Sequence, residues 1–150
     1  MSNCRLIVCE RRSHWAAVLR ASLGGREPQV VETRSLLSCE AALAEAPASI
    51  VAVEATPDNL EALVGFLGNV NKRFPQAVFV MLLTPEIESA ACLLREAGAL
   101  EAIASVLEAP RLARFARRHH ARVPPRAMTL HEFVADQMPW AAYATPSGST

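Results

Sequence analysis

Twice in this chain a continuous apolar run passes straight into threonine, proline and an acid. Ile50-Val51-Ala52-Val53 leads through Glu54 and Ala55 to Thr56-Pro57-Asp58, and Ala77-Val78-Phe79-Val80-Met81-Leu82-Leu83 leads to Thr84-Pro85-Glu86. An apolar run without polar alternation is the pattern of a strand covered on both faces, as in a parallel sheet. A hydroxyl residue, a proline and an acid then supply an N-cap, a first helical residue and a favourable first-turn charge. The shared order predicts two strands pointing the same way in one sheet, each feeding a helix. Glu54 then lies at the carboxyl end of a central strand, where open α/β sheets place their chemistry.

The rest of the chain repeats the alternation. Arg5-Leu6-Ile7-Val8-Cys9 is a short apolar strand, and Ser13 can cap a helix carrying Trp15, Ala16, Val18, Leu19 and Leu23 inward until Gly24-Gly25 ends it. Gln29 to Thr33 is a more polar strand, expected at an edge, and Ser35 to Ala46 a second helix closed by Pro47. A helix through Leu60, Leu63, Val64, Leu67 and Val70 follows the Thr56 start, and another spans Ile87 to Ala97 before Gly98. Ala102 to Val106 is a fifth strand, and Pro110 opens a fifth helix ending near His120. Five strands alternating with five helices predict a doubly wound α/β domain with right-handed crossovers over residues 1–121. Residues 122–150 are expected to form a tail. Thr129-Leu130-His131-Glu132 fits a capping box, so a short amphipathic helix is predicted near 129–138, followed by a disordered Ser/Gly/Thr end.

Composition narrows the function classes. The 150 residues are 51% hydrophobic and 20% charged with formal net charge +0, so bulk charge favours neither nucleic acid nor a membrane surface. No apolar stretch approaches a membrane span, and the N-terminus lacks a secretory pattern, so a soluble cytoplasmic protein is expected. Cys4, Cys9, Cys39 and Cys92 fall within the expected regular elements and read as buried apolar thiols. The one double glycine follows a helix rather than a strand, which excludes a phosphate loop.

The order and lengths of the elements over residues 4–121 resemble the receiver domain of two-component response regulators. Leu6 to Glu10 is similar to the first receiver strand, Ile50 to Glu54 to the third, Leu82-Leu83-Thr84 to the fourth, and Ala97-Gly98-Ala99 to the tripeptide before the fifth. The resemblance implies a five-stranded parallel, flavodoxin-like sheet of order 2-1-3-4-5. It also implies a phosphorylation site at five positions. Cys9 and Glu10 stand where the family has two magnesium-binding acids, Glu54 where it has the phosphate-accepting aspartate, Thr84 where it has its hydroxyl residue, and Ser105 where it has a lysine.

Aspartyl phosphorylation needs a nucleophilic carboxylate, a cation held by oxygens, and a positive group on the phosphoryl oxygens. Cys9 is a poor magnesium ligand, Glu54 is longer than aspartate, and Ser105 carries no charge. Only Thr84 matches the family. The expectation is a degenerate receiver, a pseudo-receiver, that is not phosphorylated by the receiver mechanism, is not an enzyme, and acts as a protein-interaction module in signalling. The other reading is a small α/β protein that binds a ligand, or performs unassigned chemistry, at the sheet edge holding Cys9, Glu10, Glu54 and Thr84. Glu54 also admits a narrower role, as a permanent mimic of the phosphorylated state.

Other groupings carry less. Glu10 and Glu54 are the carboxylates placed to attempt a metal site, but no metal and no cofactor is expected. Cys9 and His14 lack an orienting third group, so a thiol–imidazole pair is not favoured. His119-His120 reads as a solvated helix end. Arg111, Arg114 and Arg118 share one face of the fifth helix, and Leu130, Phe133 and Trp140 are the apolar residues of the tail. Both groups are candidate contacts for a protein partner or for self-association, a homodimer included. Neither a membrane nor nucleic acid is expected as partner. No output domain follows in the sequence, so output is expected to pass through a partner.

Overall fold

The structure is a computed structural model, and it describes residues 3–124. Five strands form one parallel sheet: β1 (Leu6–Cys9), β2 (Val30–Thr33), β3 (Ile50–Ala55), β4 (Val78–Leu83) and β5 (Glu101–Ile103). Their order is β2-β1-β3-β4-β5, so the sheet winds outward both ways from β1 and β3. The predicted order and strand direction hold, and the polar β2 lies at an edge as its composition suggests.

Five helices connect them: α1 (Trp15–Leu23), α2 (Leu36–Glu45), α3 (Leu60–Arg73), α4 (Ala91–Ala97) and α5 (Ala109–Arg122). Alternate strand residues feed two separate cores. Ile7, Cys9, Val51, Val53, Phe79 and Met81 pack with Cys39, Leu43, Leu63, Leu67 and Leu94 of α2, α3 and α4. Leu6, Val8, Ile50, Ala52, Val80 and Leu82 pack with Trp15, Leu19, Leu112 and Ala116 of α1 and α5. Each fully buried Leu or Ile side chain stabilises the fold by about 1.5–3 kcal/mol relative to exposure. The ends of β1 and β3 are thereby clamped from both sides. Cys4 and Cys9 fall in opposite cores, as their spacing requires.

Local expectations are corrected at several points, and Cys92 is exposed rather than the buried thiol expected. Ser13 does not cap α1; the helix begins after His14, and the capping group comes from further back in the chain. Thr56-Pro57-Asp58 forms a turn before α3 rather than its first residues, because the Asn59 side chain takes Thr56 N at 2.8 Å and reaches back to the Glu54 carbonyl at 2.8 Å. After Thr84 the chain makes a 3-10 segment, Pro85–Ala90, with Ile87 out of helical geometry, so the fourth helix begins only at Ala91. β5 stops at Ile103, and Ser105 instead caps the 3-10 turn Val106–Glu108, its Oγ accepting from Leu107 N at 3.2 Å.

Helix ends behave as glycine allows. Gly24 closes α1 at φ 59, and Gly98 closes α4 at φ 130. At Gly98 a Cβ would come within 2.0 Å of Asn71 Nδ2, so both backbone and space demand glycine there. His119 is not a solvated residue. Its Nε2 lies 2.8 Å from the Ala48 carbonyl and its ring stacks on Phe115, which ties α5 to the segment entering β3. The tail residues Leu130, Phe133 and Trp140, and the helix expected near 129–138, lie outside the described residues.

Candidate functional site at the carboxyl edge of the sheet

Parallel pairing of Cys9 with Val53 sets the carboxyl ends of β1 and β3 level, so Glu10 and Glu54 leave the sheet side by side. The cleft between them, about 190 Å³, is lined by Cys9, Glu10, Arg11, Arg34, Ser35, Leu36, Val53, Glu54 and Asn59. Three of the predicted site residues therefore meet, while Thr84 and Ser105 are absent from the lining.

Glu10 is the residue whose role differs most from its sequence reading. It is only 3% exposed, and its carboxylate turns into the start of α1. Oε2 accepts from His14 N at 3.1 Å and Ala16 N at 2.9 Å, and Oε1 from Trp15 N at 3.0 Å. A helix start leaves such amides without intrahelical partners and carries a partial positive charge. One buried carboxylate satisfies three of them and complements that charge.

Glu54 is half-buried, and its Oε1 accepts from Arg11 N at 3.2 Å, so it holds the loop between β1 and α1. The Arg11 side chain reaches on towards Asp58 at 3.9 Å. Arg34 closes another side of the cleft. Its guanidinium donates to the Glu10 carbonyl at 3.1 Å and to Glu32 Oε1 at 3.0 Å. Arg11, Arg34 and Asn59 were not read as site residues from the sequence. Arg34 follows an edge strand, and only the sheet order brings that strand end beside β1.

Thr84 Oγ1 is buried without a partner at hydrogen-bonding geometry, and the hydroxyl lies close enough to Glu86 to hold that carboxyl below its usual range. The Cys9 thiol faces away from the α1 side, towards Cys39 of α2. His14 is exposed at the start of α1, so the thiol–imidazole pair does not form.

Receiver likeness implies magnesium, and the residues present do not fit it. The Glu10 oxygens are taken by α1 amides, the thiol of Cys9 is a soft donor, and Glu54 is engaged with Arg11 N. Among the described residues no group of three or more His, Cys, Asp or Glu side chains is placed to hold a metal. Also among them, no helix is long and apolar enough to cross a membrane.

A second surface lies at the β5 edge, where Val80, Leu100, Glu101, Ile103, Arg111, Leu112, Phe115 and Arg118 line a groove of about 370 Å³. Leu100 is 57% exposed there. Arg111 is held by Glu101 at 2.8 Å and Glu108 at 2.6 Å, while Arg114 and Arg118 are exposed on the same helix face.

A five-stranded parallel sheet of order 2-1-3-4-5 with helices on both faces is the CheY-like fold of response-regulator receiver domains. Solved structures of that class superpose on this chain. A response regulator receiver domain protein from Clostridium thermocellum does so with TM-score 0.63 at 17% identity, over 79% of this chain and 95% of that one. A CheY-like protein, TadZ, from Pseudomonas aeruginosa gives 0.62 at 21% identity, over 77% and 98%. A Burkholderia pseudomallei protein described as related to pilus assembly gives 0.63 at 16% identity, over 85% and 97%. No family model matches the chain, and neither does any curated protein sequence. The shared property is the fold.

Proposed function

We propose that this chain is a receiver-fold signalling domain that is not phosphorylated by the receiver mechanism and works by binding another protein. The observation that carries this reading is the Glu10 carboxylate, which is spent on three backbone amides of α1 where a receiver needs a magnesium ligand. Glu54 lends support because it braces the β1–α1 loop through Arg11 N, and Ser105 because its hydroxyl caps a turn. The mimic role suggested for Glu54 takes a structural form in this reading: the carboxylate holds the loop in one arrangement without a phosphoryl group.

The partner is a protein or a second copy of the chain. The groove beside β5 and the exposed Arg114 and Arg118 are the proposed contact surface among the described residues, with Leu130, Phe133 and Trp140 added from the tail. One similar structure is described as that of a pilus assembly-related protein. A cytoplasmic location belongs to the same reading.

The test is incubation of the full chain with acetyl phosphate, and separately with beryllofluoride, each with magnesium. The expected outcome is no phosphorylated species by mass spectrometry and no change in Trp15 fluorescence. Phosphate found on Glu54, or a saturable magnesium response, overturns the proposal.

A further inference from the structure

Two of the four cysteines meet inside the protein. Cys9 ends β1, and Cys39 lies in the first turn of α2, one helical turn beyond Leu36 on the same face. Both belong to one apolar cluster, 6% and 0% exposed, and both are free thiols. They differ in access. Cys9 lines the cleft beside Glu54 and Arg34, whereas Cys39 lies behind it and is absent from that lining.

The surroundings favour charge on Cys9 rather than Cys39. The neighbouring Cys39 thiol, more than any other group, lowers the Cys9 thiol below its usual value against the opposing effect of burial. Thr33 of β2 and the Arg34 guanidinium lower it further, and Glu54 of β3 opposes them. Cys39 is pushed up, first by its contact with Cys9 and then by burial. The start of α2 adds a partial positive charge on the Cys9 side. Cys4 is the counter-example: burial in the opposite core pushes its thiol up to about 11.

We propose that Cys9 and Cys39 form an oxidisable dithiol, with Cys9 the sulfur that meets a peroxide in the cleft and Cys39 the one that resolves it. In the first step the Cys9 thiolate attacks hydrogen peroxide. An S–O bond forms, the O–O bond breaks, and the sulfur gives up two electrons. The hydroxide released takes the proton that Cys9 had lost and becomes water. In the second step Cys39 gives up its proton as its sulfur attacks Sγ of Cys9. The S–S bond forms, the S–O bond breaks, and the hydroxyl leaves with that proton as a second water. The disulfide pins the first turn of α2 to the end of β1 and closes one wall of the cleft. This dithiol stands independently of whether the chain has a protein partner.

The test treats the folded full chain with hydrogen peroxide, then unfolds it and alkylates with N-ethylmaleimide. Cys4 and Cys92 are expected to label, and Cys9 and Cys39 to be lost from labelling until dithiothreitol restores them. Peptide mapping is expected to find one cross-linked species joining Cys9 to Cys39. The rate of loss is expected to rise with pH as the Cys9 thiol ionises. In Cys39→Ser, dimedone is expected to trap a sulfenic acid on Cys9. Continued labelling of all four thiols in the wild-type chain overturns the proposal, and so does a cross-link confined to Cys92 between molecules. Both readouts use the unaltered protein, so they stand even where Cys39→Ser fails to fold.

Discussion

The Glu10 carboxylate performs a task that a side-chain hydroxyl can do only in part, taking the amides of His14, Trp15 and Ala16 together. From the sequence, Ser13 is the natural cap, since a hydroxyl just before an apolar helix is the usual signal. The strand decides otherwise. β1 ends at Cys9 and aims Glu10 beneath the incoming helix, so the acid reaches the amides first. Replacing Glu10 by Ala leaves buried donors without acceptors and is expected to cost about 2–3 kcal/mol, measured by urea denaturation. Glu10→Gln keeps one good acceptor and is expected to lose less. Adding magnesium is expected to rescue neither variant, because the side chain serves the helix.

At the scale of elements, ion pairs tie the edge strand β2 to its neighbours. Glu32 is held well below the usual carboxyl value of 4.5, at about 2, chiefly by Arg20 of α1, then by Ser13, with Arg34 contributing less. Its folded value lies below its unfolded one, so the stabilisation is complete above about pH 4.5 and is lost as pH falls towards 2. Glu32→Gln is therefore expected to flatten that part of the acid limb, read as a smaller drop in urea midpoint between about pH 6 and about pH 3. Element types were legible wherever apolar periodicity ran long, as in β3, β4, α3 and α5. Boundaries failed where a side chain competed for the backbone. Asn59 turned the Thr56-Pro57 start into a turn, and Ser105 left the predicted strand to cap a 3-10 turn. Such contests depend on groups brought close by the fold, which local propensity does not contain.

At the scale of the whole molecule, the sheet carries two cores, and α5 closes one of them while presenting its arginine face outward. His119 fixes that helix to the Ala48 carbonyl, so the groove beside β5 has a firm wall. If this face makes the partner contact, reversing charge at Arg114 and Arg118 is expected to remove the partner that copurifies with the wild-type chain. The melting temperature is expected to move by no more than a few degrees, since both side chains are exposed and neither packs in a core. A retained partner with unchanged melting would move the contact elsewhere, to the tail or to the Glu54 edge.

The sequence by itself determined the parallel α/β class, the direction of the strands and the polar edge position of β2. Apolar period and helix punctuation are local properties, and burial on both faces leaves a continuous mark. The receiver resemblance read from the sequence further implies a departure from the phosphorylation residues of that family at Cys9, Glu54 and Ser105. Only the tertiary structure decided what the side chains at the ends of β1 and β3 do. Glu10 became a helix cap, Glu54 a brace for Arg11, and Cys9 a partner for Cys39 rather than for His14. The physical reason is the same in each case. A carboxylate or thiol at a strand end can satisfy many neighbours, and the sheet order and helix entry angle choose which of them lies within about 3 Å.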